Sequence, residues 1–267
     1  MSIEALIFDV DGTMADTEEA HRFAFNNAFE RFKLGWKWGR DAYRELLTTT
    51  GGKERIAAYL ATKTLSPADR KRLTELIPAI HAEKTKFYSS FVADGAIKLR
   101  EGVARLAEEA LTAGCRLAIA STTTAVNIDA LLQSNFGSRG LEMFGVIACG
   151  DAVRAKKPAP DVYRLALSHL GLQPDQAVAF EDSHNGLRAA TAAGLWTVIT
   201  PTFWTEAHDF SGAHLLLPHL GDPDQPLPGE PGTTLEDAAW LGFAELARRA
   251  DPRPISEVGS RYTGTLA

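Results

Sequence analysis

Two aspartates spaced two residues apart carry the first chemical signal in the chain. Asp9 and Asp11 follow the apolar run Ile3-Glu4-Ala5-Leu6-Ile7-Phe8 and precede Gly12-Thr13. On an extended segment residues two apart point the same way, so both carboxylates project from the end of one strand. Gly12 lets the chain turn away. Carboxylates this close repel, and the pair invites a divalent cation or a shared proton. Three other polar clusters also follow apolar runs or helix-like segments: Ser121-Thr122-Thr123, Lys156-Lys157-Pro158-Ala159-Pro160-Asp161 and Glu181-Asp182-Ser183. Each has a bland reading alone. Asp-Gly is a turn dipeptide, a Ser/Thr run caps a helix, Lys-Lys-Pro makes a solvated turn, and Asp182 or Ser183 can cap the helix that follows. Together and in order they point to one site, because ligands of open α/β sheets bind at the carboxyl ends of the strands. The matching chemistry is phosphoryl transfer. An aspartate can attack phosphorus and divide the displacement into two easier steps. A hard, oxygen-seeking cation such as Mg²⁺ then offsets the repulsion between anionic nucleophile and anionic substrate. A second carboxyl protonates the leaving oxygen and later activates water.

The elements that must hold these groups follow from periodicity. Strand-like runs fall at 5–8, 116–120, 145–148, 177–180 and 197–200. From the second onward they alternate with helix-like stretches, for example 103–113, 125–133, 160–170 and 185–193. Gly114, Gly171 and Gly194 sit just past such stretches, where a terminating glycine belongs. This alternation predicts an α/β fold, a Rossmann-like parallel sheet with helices on both faces. Between the first and second strands the pattern is wholly helical, with helices expected over 18–32, 41–47, 53–62 and 67–90. The expected domains are a core of 1–16 and 95–218 and a helical cap of 17–94, hinged near Asp16 and Asp94. From 219 the composition changes: 221–232 reads as a Pro/Gly/acid linker, 236–249 as one helix, and the tail from Asp251 as loose.

The cap carries its own polar features. Thr48-Thr49-Thr50-Gly51-Gly52-Lys53-Glu54-Arg55 leads into a helix. Backbone amides there, with Lys53 and Arg55, suit a second, non-reacting phosphate. Cations at a helix start oppose the macrodipole, which favours a functional reason for them over a solvated one. Glu18 and His21 lie one helical turn apart near the nucleophile loop.

Composition narrows the function classes. The chain has 267 residues, 45% hydrophobic and 23% charged, with a formal net charge of −6. That charge argues against nucleic-acid binding and requires a local cationic site or a metal for a phosphate-bearing substrate. Cys115 and Cys149 are expected as free thiols. No apolar run reaches the twenty or so residues needed to span a membrane, and no leader is evident before Ile3. A cytoplasmic monomer without membrane or nucleic-acid partners is the expectation.

The segment DVDGT with the three later clusters resembles the haloacid-dehalogenase-like phosphohydrolases over residues 3 to about 200. The resemblance implies that Asp9 is the nucleophile and Asp11 the general acid/base, which also lends its backbone carbonyl to the metal. It implies phosphate binding by Ser121, with Thr122 beside it. Lys157 would pair with nucleophile and phosphate, and its neighbour Lys156 would be solvated. Asp182 would ligate Mg²⁺, with Glu181 direct or through water, giving a metal set of Asp9, Asp11, Asp182 and Glu181. Dehalogenases lack a carboxylate at the position of Asp11, since a halide needs no proton, so a phosphatase is implied. Residues 17–21 (Thr-Glu-Glu-Ala-His), the loop 48–55 and LALSHLGL after KKPAPDVYR are similar to the CbbY-like sugar bisphosphate phosphatases, which clear xylulose 1,5-bisphosphate, an inhibitor of Rubisco. Glu18, His21, Gly51, Gly52, Lys53 and Arg55 would then bind substrate. Two alternatives stand beside this reading: a phosphomutase like the β-phosphoglucomutases, and a non-catalytic binding protein on the same fold. The extension after His219 departs from the group pattern.

Overall fold

The structure is a computed structural model that describes residues 3–150, 152–229, 235 and 238–251. Its centre is β1 (Ala5–Phe8), buried at all four positions. A continuous apolar run suits a strand covered on both faces. There follow α1 (Glu18–Arg31), α2 (Arg40–Leu46), α3 (Gly52–Ala61), α4 (Pro67–Ala93), α5 (Val103–Thr112), β2 (Arg116–Ala120), α6 (Ala125–Phe136), the short α7 (Gly140–Met143) and β3 (Phe144–Ala148). The chain continues through α8 (Asp161–Leu170), β4 (Ala177–Glu181), α9 (His184–Ala192), β5 (Trp196–Ile199), β6 (Leu215–Leu216) and α10 (Phe243–Ala250). The sheet runs β3-β2-β1-β4-β5-β6, and its strand pairs are parallel. This is the predicted α/β architecture. β6 was not anticipated, because two residues are too few to show a period.

The topology places the chemistry. Phe8 pairs in register with Ile119 of β2 and Phe180 of β4. The residues at the ends of these three strands therefore emerge side by side at one edge: Asp9, Ser121, and Glu181-Asp182. Under them Phe8 stacks on Phe180 with ring centroids 4.5 Å apart and meets Phe144 edge-on at 6.2 Å. On the opposite face the packing residues are small, including Ala5, Ala118, Ala120, Ala179, Ala189 and Ala190. They let α8 and α9 approach the sheet closely, so the loops before these helices reach the strand ends.

The helical insert has its own core. Phe25, Phe29, Trp38, Tyr43, Ile56, Leu73, Ile77 and Ile80 form an apolar cluster that also takes in Trp204 from the loop after β5. Its two crossings to the sheet lie together, with Ala15 bridged to both Asp11 and Leu99. The return crossing thus falls at 95–99, just past the expected Asp94.

The extension departs from expectation. The described part of 221–232 is not a free linker. Leu220, Leu227, Leu235, Leu241 and Leu246 are buried in the main core cluster. Arg105 of α5 donates to the carbonyls of Gly221 (2.6 Å) and Leu241 (3.2 Å) and pairs with Asp222 at 3.1 Å. Asp222 accepts the Gly102 N–H at 2.7 Å, and Glu109 accepts the N–H of Phe243 at 2.8 Å. Gly102 has φ +82°, and a Cβ there would lie 2.5 Å from the Gly221 carbonyl oxygen, so glycine is needed for this approach. The helix starts at Phe243 rather than 236. Residues 230–232, 236–237 and the tail from 252 lie outside the described residues. Cys115 and Cys149 are free thiols, as expected. Among the described residues no helix is long and apolar enough to cross a membrane.

If the extension shares the core, Leu246→Ala should cost about 2–4 kcal/mol of unfolding free energy, read by urea denaturation. A change below about 0.5 kcal/mol, typical of a surface position, would mean that α10 does not contribute to the cooperative unit.

Candidate active site

Four loops converge on Asp9. Its N–H donates to the Phe180 carbonyl at 3.0 Å, which continues the β1–β4 ladder by one residue. The turn that follows requires Gly12, whose φ is +83° and whose added Cβ would stand 2.3 Å from Asp182 Oδ2. Lys157, from the loop before α8, donates to Asp9 Oδ1 at 2.7 Å and Glu181 Oε1 at 2.5 Å. Tyr163 of α8 donates to the same Glu181 oxygen at 2.6 Å. Ser183 caps α9 by accepting the Gly186 N–H. The helix therefore takes its cap from Ser183 and leaves Asp182 for other work. Asp182 Oδ2 accepts from Thr205 Oγ1 at 3.3 Å.

The electrostatics call for a cation. Asp9, Glu181 and Asp182 are all buried and present oxygens within 4.8 Å of one another. Lys157 supplies one positive charge to three carboxylates. Burial, opposed by the charge and hydrogen bond of Lys157 and reinforced by Glu181 and Asp11, raises the Asp9 carboxyl to about 7. Burial, then the charges of Glu181 and Asp9, holds Asp182 well above the usual carboxylate range. Burial alone would lower Lys157, but Asp9 and Glu181 hold it above the ordinary lysine range. Glu181 Oε2 is buried without a hydrogen-bond partner. An all-oxygen set with excess negative charge and an orphaned carboxylate oxygen fits a hard divalent ion.

Asp11 stands apart from that set. Its side chain turns away, accepting from Thr17 Oγ1 at 2.6 Å and meeting His21 Nε2 at 2.8 Å. The cluster of side chains that could hold a metal ion is thus Asp9, Glu181 and Asp182; the side chain of Asp11, from which only the backbone carbonyl was expected, lies outside it. Burial opposes ionisation of Asp11, but the charge and hydrogen bond of His21 and the Thr17 hydroxyl hold the carboxyl well below its usual range. His21 Nδ1 in turn lies 2.5 Å from Lys84 Nζ, and the His21 ring stacks on Tyr88 at 4.1 Å. Burial pulls Lys84 down to about 8, against the pull of Asp11 and Glu18. Lys84 was missed in the sequence. Its signal was its position: Leu73, Ile77, Ile80, Lys84 and Tyr88 form one buried stripe along α4, and a lysine there is out of place.

Arg100 was also missed, and a lone arginine before Glu101-Gly102 gives no signal. Its Nη1 donates to the Gly12 carbonyl and to the Thr200 carbonyl (2.6 Å); Nη2 donates to the carbonyls of Pro201 and Pro218, each at 2.9 Å. It ties the loop of Asp9–Gly12 to the ends of β5 and β6.

The remaining expected residues line one cavity between sheet edge and insert. Asp9, Asp11, Ser121, Thr122, Lys157 and Asp182 form its core wall, and Glu18, His21, Gly51, Gly52, Lys53 and Arg55 its insert wall. Glu181 is fully buried and lies outside this lining. Ser121 is not a helix cap, since α6 begins at Ala125 with Thr124 in the cap position. Arg55 donates to the Tyr43 hydroxyl (2.9 Å), and Tyr43 donates to Glu18 Oε2 (2.7 Å). Lys156 is not the solvated residue expected; it reaches across to Glu54 at 3.0 Å and lines the cavity. Asn185 likewise bridges to the Thr48 carbonyl and Thr50 Oγ1.

The raised Asp9 and Asp182 carboxyls fix the sign of a pH dependence. Between about pH 4 and 7 the metal-free native state keeps protons that an unfolded carboxyl releases near 3.9, so stability should fall as pH rises through this window. Asp11, held low, acts only below it. Thermal unfolding in chelator should show the fall from pH 5 to 7.5, Asp9→Asn should flatten it, and excess Mg²⁺ should reverse it. An equal slope in wild type and Asp9→Asn would contradict the assignment.

Comparison with known proteins agrees with this geometry. Residues 6–200 match the haloacid dehalogenase-like hydrolase family. Protein CbbY of Cereibacter sphaeroides is 52% identical over 215 residues, covering 80% of this chain and 91% of that protein. The plasmid-borne CbbY of Cupriavidus necator is 50% identical over 245 residues, covering 91% and 95%. A crystal structure of CbbY from Rhodobacter sphaeroides in complex with phosphate matches with a TM-score of 0.76 at 50% identity, covering 81% of this chain and 94% of that chain. A mutant of that protein in complex with xylulose-(1,5)bisphosphate matches to the same extent. The chain belongs to the haloacid dehalogenase-like hydrolases, within their CbbY-like phosphatases.

Proposed function

We propose that the chain hydrolyses one phosphate ester of a small sugar bisphosphate, xylulose 1,5-bisphosphate, through a phospho-aspartate on Asp9. The observation that carries this reading is the pairing of walls in one cavity. The core wall presents nucleophile, acid/base and Lys157, and the insert wall presents Lys53, Arg55 and Lys84. A bisphosphate has two anionic ends and asks for cations on both sides. A relative that shares half of this sequence has been crystallised with that sugar.

In this reading Asp9 attacks phosphorus, the P–O bond to the sugar breaks, and Asp11 delivers a proton to the departing oxygen. Asp11 then takes a proton from the water that attacks the phospho-aspartate, releasing phosphate and restoring Asp9. The phosphate dianion entering beside Asp11 raises its proton affinity, which suits the acid half. The His21 and Thr17 contacts favour its ionised form, which suits the base half. Asp9, Glu181 and Asp182, with the Asp11 carbonyl, would hold Mg²⁺, which when bound offsets charge between nucleophile and phosphate. Lys157 favours the ionised form of Asp9 against the effect of burial and would reach the transferring group. Ser121 and Thr122 receive its outer oxygens. The helical insert serves as a cap over residues 17–94 that excludes bulk water during transfer.

The test is phosphate release from xylulose 1,5-bisphosphate and from a small aryl phosphate, with and without Mg²⁺. Asp9→Asn should abolish release from both. Loss of a charge-assisted contact costs roughly 1.5–3 kcal/mol, so Lys53→Ala and Arg55→Ala should each lower kcat/KM for the bisphosphate about ten- to a hundredfold. The aryl phosphate, which does not reach the insert wall, should react within about threefold of wild type. Equal losses on both substrates would remove the remote-phosphate role. Isomerisation without phosphate release would favour a mutase.

A further inference from the structure

The loop after β5 belongs to the core by chain connection and to the insert by packing. Thr200 N–H still continues the sheet, donating to the Glu181 carbonyl at 2.8 Å. The next residues form a tight turn: Thr202 N–H donates to Thr205 Oγ1 (3.0 Å), Trp204 N–H to Thr202 Oγ1 (3.2 Å), and Thr205 and Glu206 N–H to the Thr202 carbonyl (3.0 and 2.8 Å). A turn bonded this fully displays its side chains in fixed directions. Trp204 is 1% exposed, yet it is buried among insert residues, edge-on to Tyr43 at 5.6 Å. Phe203 lies under the guanidinium groups of Arg40 (4.5 Å) and Arg44 (5.0 Å), and Glu206 pairs with Arg44 at 3.1 Å. Residues 203–206 therefore grip α2 from the core side.

What the grip holds is next to the cavity. Tyr43, packed on Trp204, bonds to both Glu18 and Arg55, which line the insert wall. On the other side Thr205 bonds to Asp182 in the acidic cluster. One short turn thus touches the partner of Arg55 and a carboxylate of the core. Elsewhere at the rim the insert meets the core through polar contacts, the partly exposed Lys156–Glu54 ion pair and the Asn185 bonds to Thr48 and Thr50, and an exposed ion pair holds little energy; away from the rim, Tyr88 and Val92 of α4 pack into the main core cluster. At the rim beside α2, Trp204 is the large buried apolar side chain that the core sends into the insert, and apolar burial is what fixes two bodies together.

We propose that Trp204 is the seat on which the helical insert closes, and that it is a positioning residue for substrates whose remote end is held by Arg55. This rests on the phosphatase reading of the cavity. Binding energy at the insert wall reaches the reacting phosphate only when the two walls are held in register. Removing the seat should therefore harm substrates that use the insert wall and spare those that do not.

The test uses Trp204→Ala, Trp204→Leu and Trp204→Phe in the full chain, with two readouts. The first is hydrogen–deuterium exchange, in which α2 and α3 report the seating of the insert and α5 reports the core. The second is kcat/KM for xylulose 1,5-bisphosphate against a small aryl phosphate. Trp204→Ala should speed exchange in α2 by roughly tenfold or more while α5 is unchanged. It should lower kcat/KM for the bisphosphate roughly ten- to a hundredfold and the aryl phosphate less than about threefold. Trp204→Leu should move both readouts in the same direction by less, and it carries the test if the alanine variant does not fold. Trp204→Phe, which keeps a ring against Tyr43, should restore most of both. Unchanged α2 exchange would overturn the proposal. So would equal losses on both substrates, or faster exchange in α5, which would mark a general packing role. If wild type releases no phosphate from the bisphosphate, the substrate reading fails, while the exchange pattern still decides whether Trp204 seats the insert.

Discussion

One ammonium group among three buried carboxylates sets the terms for the rest of this molecule. Lys157 bonds to Asp9 and Glu181, with Asp182 completing the cluster. Buried charge is costly unless it is paired, and one ammonium bonded within a cluster of three carboxyls leaves them short of positive charge, so that Asp9 and Asp182 hold their protons more tightly than usual. Burial first, and then the neighbouring carboxylates, lift the Asp9 carboxyl, and such a site fits a divalent ion. The shortage also makes the site receptive to a group that brings its own cation. A metal-bound phosphate meets that condition, whereas a neutral ligand does not.

The fold exists to bring those charges together against their repulsion. The order β2-β1-β4 sets three strand ends side by side, and the register of Phe8 with Ile119 and Phe180 aligns them. Gly12 permits the approach of the loop after β1 to Asp182. Tyr163 spends its hydroxyl on Glu181, and Arg100 gathers carbonyls from the loop after β1 and two sheet ends. Asp11 is managed separately, by Thr17, His21 and Lys84 from the insert. The Asp9 carboxyl is thus tuned by the core and the Asp11 carboxyl by the insert. Chemistry that needs both therefore depends on how the insert sits.

Much of this was legible in the residues, and the legible part shares a physical character. β1 and the paired aspartates announce themselves because burial on both faces leaves an unbroken apolar run and the chemistry sits at its end. The helices of the insert were read within a few residues because their periodicity is local. What escaped depends on contacts distant in sequence. Arg105 and Glu109 hold the extension from more than a hundred residues away, so its prolines and glycines read as a linker while its leucines were in fact core. Lys84 acquires meaning only beside His21, and Trp204 only beside Tyr43. Asp11 was expected to project together with Asp9, but the direction of its side chain follows from Thr17 and His21 rather than from the strand. Lys156 looked like a solvated neighbour of Lys157, and only the insert brings Glu54 to it.

The central claim is that Asp9 is the group that becomes phosphorylated. The most direct measurement mixes enzyme, Mg²⁺ and xylulose 1,5-bisphosphate, quenches with acid within one turnover, and digests the protein for mass spectrometry. The account predicts one added phosphoryl group on the peptide bearing Asp9, localised to that residue, removed by hydroxylamine and absent from Asp9→Asn. Rapid phosphate release with no phosphoryl group on the enzyme at any quench time, or with the group on a residue other than Asp9, would contradict it.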